Sequence, residues 1–176
     1  MAAGITDIEL RAATSADAGA IADIWHQGWR DGHLGHVPEA LTAHRTPESF
    51  RERTAAHLAG TTVAVVRDRS AHGRPGPRHG EVAGFIMVGG DEAEQVYVAP
   101  AHRGSGVAAT LLAEAERQIA AAGFTEAWLA VVPGNARARR FYERQGWHDT
   151  GGLDYQATTA TGTFPVPCRR YAKSLP

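Results

Sequence analysis

Residues 92–123, EAEQVYVAPAHRGSGVAATLLAEAERQIAAAG, place a strand, a glycine turn and a helix in immediate succession. EAEQVYVAP is rich in β-favouring residues and stops at Pro100, which cannot continue a hydrogen-bonded ladder. AHRGSGVA follows as a loop. Beyond it Ala108, Leu111, Leu112, Ala115 and Ile119 fall on one helical stripe, Glu114, Arg117 and Gln118 fall off it, and Gly123 stands where a C-terminal cap belongs. The glycines at 104 and 106 permit a tight turn and the close approach of an anion, and the first amides of the helix have no partner inside it. Aligned peptide dipoles add partial positive charge, so Arg103, Gly104, Ser105, Gly106, Val107 and Ala108 together suit a pyrophosphate. Read alone, a Gly-x-Gly turn before a helix serves a simple turn as readily as a phosphate.

Upstream, IELRA at 8–12 alternates as a half-buried strand, and Thr14 or Ser15 can cap a helix whose apolar positions include Ala18, Ile21, Ile24, Trp25 and Trp29. That helix ends in DGHLG. Thr46 before Pro47 starts another, running to about Gly60. TVAVV at 62–66 and EVAGFIMV at 81–88 read as strands, joined by the polar, Gly/Pro/Arg-rich RDRSAHGRPGPRHG, which is expected to be a mobile loop. Downstream, AWLAVV at 127–132 reads as a strand buried on both faces, PGNA opens the short helix ARARRFYERQ, and WHDTGGLDY with PVPCRRYAKSL supplies a closing hairpin. No internal repeat or second domain boundary is evident, so one domain over 1–176 is expected.

The 176 residues can bury a core without disulfides or metal. A net charge of -1, from 18 Lys+Arg against 19 Asp+Glu, lacks the cationic excess that nucleic-acid binding calls for. The single cysteine, Cys168, cannot close an internal disulfide and has no histidine pattern marking it as a nucleophile. No membrane-spanning run or signal-peptide layout is visible, which makes a soluble cytoplasmic protein the default expectation. The nine histidines show no metal-ligand spacing, so no metal is expected.

About thirty residues beyond the glycine turn, a strand leads to Asn135, with Tyr142 seven residues later in NARARRFYERQGW. The order strand, R-x-x-G-x-A, helix, strand, N-x-x-A-x-x-x-Y-E-x-x-G-W resembles the GNAT acetyltransferases, closely over 81–147 and more loosely at both ends. That resemblance implies an α/β (α+β) fold: a mixed, largely antiparallel central sheet, splayed at an acetyl-CoA site and flanked by helices. It also implies an acetyl-CoA co-substrate and transfer of the acetyl group to an amine. Carried over residue by residue, Arg103 through Ala108 match the pyrophosphate loop. Val96, Tyr97 and Val98 match the strand end that offers free backbone groups to the pantetheine arm, and the amide of Val96 or Tyr97 would polarise the thioester carbonyl. Asn135 matches a pantetheine-bonding position, and Tyr142 matches the acid that protonates departing thiolate. Arg137, Arg139 and Arg140 are either phosphate contacts or simply solvated.

Direct attack requires a neutral amine, hence a base. Glu94 is the first candidate, because two-residue alternation puts it on the face of Val96; Glu92 follows, with His26, His33, His36 or a water as rivals. The resemblance assigns the acceptor pocket to the first helices and the late hairpin. There Trp29, Arg30 and His33 are candidate acceptor contacts, with Trp25, Asp31, His36, Tyr155 and Phe164 nearby in sequence, although Trp25 and Trp29 also fit a core stripe. A small-molecule amine is the expected partner, with a protein N-terminus, a lysine or a charged tRNA as alternatives, and a non-catalytic CoA-binding domain behind those. Homodimers are frequent in the family, so pairing of two chains is also an expectation.

Overall fold

In chain order the elements are β1 (Asp7–Ala12), α1 (Ala18–His33), α2 (Glu39–His44), α3 (Pro47–His57), β2 (Thr61–Arg67), β3 (Glu81–Gly89), β4 (Glu92–Val98), α4 (Val107–Ala121), β5 (Glu126–Val131), α5 (Ala136–Arg144), β6 (His148–Thr159) and β7 (Gly162–Ser174). The structure, a computed structural model, describes residues 7–67 and 80–176. The loop expected between β2 and β3 falls, over 68–79, outside the described residues.

The sequence signals act as physics requires. The Thr46 hydroxyl accepts from the Ser49 N–H at 3.2 Å, capping α3 with Pro47 in its first turn. Asn135 caps α5 in the same way, its Oδ1 accepting from the Ala138 N–H at 3.2 Å. Gly123 ends α4 in the left-handed region. Before α1, the buried Asp17 carboxylate takes two charged hydrogen bonds from Arg11, at 2.8 and 2.9 Å, and the Thr14 N–H at 2.7 Å. One short helix, α2, had no counterpart in the pattern; six residues give too little periodicity to read.

The seven strands form one sheet in the order β1-β2-β3-β4-β5-β7-β6, with every pairing antiparallel except that of β4 with β5. That parallel pair is joined at Glu92 and Trp128 alone, where Asp91 accepts from the Trp128 backbone N–H and indole N–H, both at 3.0 Å. Beyond this clamp the two strands part. The mixed, largely antiparallel sheet with a central split is therefore present.

Each face of the sheet carries its own core. One face buries α4 through Val107, Leu111, Leu112, Ala115 and Ile119, with Trp147 and Tyr171 beside them. The other buries α1 and α3 through Ile21, Trp25, Trp29 and Phe50 against Val63, Phe85 and Met87. Two tryptophans four apart thus lie on the core stripe, as the spacing suggested. β5 departs from expectation: Ala127, Leu129 and Val131 are buried while Trp128 and Ala130 are only half-buried. The split in the sheet leaves one face of this strand open, and Arg170 partly roofs Trp128 with its guanidinium 5.3 Å from the ring.

Candidate active site

The split between β4 and β5 opens into a cleft of about 940 Å³ that reaches from the α4 N-terminus to the inner ends of α1, α2 and α3. Its walls decide what can bind. In an antiparallel pair, alternate residues turn both backbone groups toward the neighbour or both away. The Ala99 N–H donates to the Ala83 carbonyl at 2.8 Å, so Tyr97, two residues earlier and opposite Phe85, also faces β3. Val96 and Val98 must then direct their N–H and C=O groups into the split, where β5 is too distant to pair with them. Of the Val96 and Tyr97 amides, that of Val96 is the one facing the split.

At one end of the split, Gly106 precedes α4 with φ of 90°, a left-handed conformation that costs other residues about 1–2 kcal/mol. The N–H groups of Val107, Ala108 and Ala109 begin the helix without intrahelical acceptors. A Cβ placed on Gly104 or Gly106 would meet only open space, so the approach to these amides is clear. Gly104, Gly106 and Ala108 line the cleft, whereas Ser105 is exposed, its hydroxyl donating to the His102 carbonyl, and the Val107 side chain is sunk in the core. Arg103 also lines the cleft but is committed to Asp31 at 2.6 Å, a partly exposed pair that ties the loop to the end of α1. This bond, and then Gln27, hold the Asp31 carboxyl below its usual range.

Across the cleft, Tyr142 packs among Phe141, Trp147 and Tyr171, and burial pushes its phenol up to about 12. Among the described residues its hydroxyl has no hydrogen-bond partner, in contrast to Tyr171, which donates to Glu143 at 2.8 Å. Asn135 lines the cleft with its amide nitrogen toward Gly32, where a Cβ would stand 2.7 Å away, while its oxygen caps α5.

Both acidic candidates line the cleft, in different settings. Register skips between β3 and β4: Val88 faces Ala93 and Met87 faces Gln95, which leaves Glu94 as the extra residue of a β-bulge. Simple alternation from Glu94 to Val96 therefore fails, and the Glu94 carboxylate folds over Gly89. Glu92 stands at the apex of the split, opposite Gly89 on one side and Trp128 on the other. Desolvation pushes its carboxyl up to about 7, with the nearby Tyr155 hydroxyl opposing the rise and Glu94 and Asp91 adding to it.

The far half of the cleft is formed by α1, α2, α3 and the β6–β7 hairpin. Gly28 allows α1 to lie directly on the Tyr97 ring, since a side chain there would collide with it. Trp29 lines this half, and His33 stacks on it at 4.9 Å with Nδ1 donating to the Trp29 carbonyl at 2.9 Å. Burial lowers His33 to about 4, so its ring is neutral at pH 7. Arg30 sits on the exposed side of α1 and does not line the cleft. Two further cations do: Arg45, buried, which donates twice to the Thr158 carbonyl at 3.0 Å, and Arg53, whose guanidinium lies 4.2 Å from the Trp25 ring. Neither was singled out from sequence, although Arg53 follows Phe50 by three residues on the inward stripe of α3, which was the available signal.

A family model described as "Acetyltransferase (GNAT) family" matches residues 29–147, the span from the last turn of α1 through α5 that holds the split. The chain belongs to the GNAT acetyltransferase family. An uncharacterized N-acetyltransferase of Mycobacterium tuberculosis is 35% identical over 80 residues, which cover 42% of this chain and 51% of that protein. The chain thus spans about half the length of the curated relatives it matches. Among solved structures, a GCN5-related N-acetyltransferase of Rhodopseudomonas palustris superposes with a TM-score of 0.66 at 19% identity, covering 95% of each chain. The PaiA N-acetyltransferase of Thermoplasma acidophilum, solved with coenzyme A, gives 0.60 at 19% identity over 96% of this chain and 99% of its own. These superpositions place the fold of this GNAT chain among N-acetyltransferases.

Proposed function

We propose that this GNAT chain is an acetyl-CoA-dependent N-acetyltransferase that acts on a small primary amine by direct attack. The carrying observation is the split at Val96: a backbone N–H and C=O turned away from β3, between unpaired amides at the α4 N-terminus and a carboxylate at the apex. Acetyl-CoA would supply the activated acetyl thioester; the chain supplies the rest. The amides after Gly106 suit the diphosphate, and the free edge of β4 suits the pantetheine amides as an added strand would. The Val96 N–H is placed to polarise the thioester carbonyl. Glu92, pushed up to about 7, takes the ammonium proton. As the C–N bond forms and the C–S bond breaks, Tyr142 gives its proton to the departing sulfur, the second proton of the nitrogen returns to the phenolate through solvent, and the products are an amide and a free thiol. The burial that raises the phenol also raises a thiolate beside it, so the transfer is less uphill than the phenol value alone indicates. A small acceptor is supported by the walls of α1 to α3 and the hairpin around the far half of the cleft.

Calorimetric titration with acetyl-CoA, followed by thiol release from the saturated protein against a panel of amines, tests the reading. Micromolar binding with turnover of a small amine is expected; absence of acetyl-CoA binding overturns it, and turnover confined to peptides or charged tRNA overturns the small-acceptor part.

A further inference from the structure

The acceptor half of the cleft holds cations with no countercharge. Arg45 is only 7% exposed, and its Nε has no partner. The Arg53 Nη1 is likewise buried without a partner. Neither side chain forms an ion pair with any carboxylate among the described residues. Their neighbours are neutral: the Thr158 carbonyl under Arg45, and the faces of Trp25 and Phe50 under Arg53. Desolvation, and then the charge of Arg45, lower Arg53 to about 10. A desolvated positive pair of this kind is relieved by an anion, and a guanidinium fork matches a carboxylate. The carboxylates that line the cleft lie off this pair, Glu92 and Glu94 at the apex and Glu52 on the exposed side of α3. Tyr155 stands between Glu92 and Arg53: burial and then the charge of Glu92 raise its phenol, and Arg53 opposes the rise. The cavity is therefore polarised, with Arg45 and Arg53 in one part of its lining and Glu92 in another.

We infer that the acceptor is a small primary amine that also carries a carboxylate, an amino acid or a close analogue, its carboxylate held by Arg53 and Arg45 and its ammonium by Glu92. This rests on the acetyltransferase reading above. A protein N-terminus does not meet the same demand, because the carboxyl of its first residue is locked in a peptide bond.

The full chain, saturated with acetyl-CoA, is assayed for thiol release with each of the twenty amino acids, with its carboxamide and with the amine lacking the carboxyl group. The same compounds are titrated without acetyl-CoA by tryptophan fluorescence, since Trp25 lies under Arg53. At least one amino acid is expected to be turned over with kcat/KM about thirtyfold above its amide, within the range for a charged hydrogen-bonded pair. Arg53→Met is expected to abolish that preference and raise KM for the acid at least about tenfold, with acetyl-CoA affinity unchanged; Arg53→Lys retains part of the preference. Equal use of acid and amide, or turnover confined to amines or peptides without a free carboxylate, overturns the inference. Should acetyl-CoA itself fail to bind, the functional reading falls, and the fluorescence titration still decides the anion site: carboxylate-dependent quenching lost in Arg53→Met supports it, and no quenching overturns it. If Arg53→Met does not fold, Arg45→Met carries the same comparison.

Discussion

Glu92→Gln removes the charge at the apex of the split while leaving its shape, and the consequence can be worked out. With its carboxyl at about 7, the ionised fraction of Glu92 is about a tenth at pH 6 and about nine tenths at pH 8. A primary ammonium near pKa ~10 is neutral in only about one molecule per thousand at pH 7. On the proposed mechanism the parent protein accepts the protonated amine and removes the proton on site, so log kcat/KM should climb with unit slope to about pH 7 and then level. The glutamine variant must wait for free amine and should climb without a break toward about pH 10. At pH 7 the deficit comes to a few hundredfold, and at pH 9 it narrows to about tenfold as free amine accumulates. Thiol release at subsaturating amine measures both curves. An inflection that survives near pH 7 in the variant, or a deficit constant from pH 6 to 9, refutes the assignment of the base. Stability offers a second check. The folded pKa of Glu92 lies above its ordinary 4.5, so the folded state binds the proton more tightly. Any stability tied to that proton is full at low pH and lost as pH rises through about 7. Glu92→Gln should therefore be more stable than the parent at pH 8 and not at pH 4, by about 1 kcal/mol once solvent in the open cleft is discounted.

Tyr142→Phe should lower kcat about a hundredfold and leave acetyl-CoA affinity within about threefold; parallel losses in turnover and calorimetric affinity count against the acid role. Gly106→Val forces a branched side chain onto a φ of 90° at the mouth of the α4 amides, and acetyl-CoA affinity should fall at least about tenfold in a variant whose circular dichroism is unchanged. Retained affinity in that folded variant would remove the diphosphate from this turn. Asp17→Ala strands Arg11 and the Thr14 N–H and should cost about 2 kcal/mol in urea unfolding at pH 7. Because Arg11 holds the folded Asp17 carboxyl below its ordinary 3.8, the parent's advantage is full above about pH 5 and fades as acidification protonates it, so the two proteins should converge in strong acid.

The donor half of the site was legible because its chemistry is backbone chemistry. A strand end, two glycines and a helix start leave local marks in sequence, and the same three features lie together at Val96–Val98, Gly104–Gly106 and Val107. The acceptor half was less legible for a physical reason. Arg45, Arg53, Glu92 and Tyr155 come from three separate parts of the chain, and only the tertiary fold, with α3 against α1 and the β6–β7 hairpin lining the same cleft, brings them together. The bulge at Glu94 is similar: its register slip depends on how β3 and β4 pair, which two-residue alternation along one strand cannot reveal. The same limit hid the half-open face of β5, whose apolar run reads as buried until the split exposes it.

β4 belongs to both cores at once, and this constrains how donor and acceptor functions can change. Val96 and Val98 pack toward the α4 side, whereas Tyr97 packs beneath α1 and against Phe85. The backbone groups that face the split are therefore fixed by pairing with β3, whatever fills the space between α1 and α3. The side chains of the acceptor half hang on α2, α3 and the hairpin, and can be exchanged without altering the register that presents Val96. Glu92 is the exception, because its position is set by the clamp of Asp91 on Trp128. The proposed base thus moves with β4 rather than with the walls of the far half, so replacing Arg53 should change which amine is chosen while leaving the pH dependence of its attack in place.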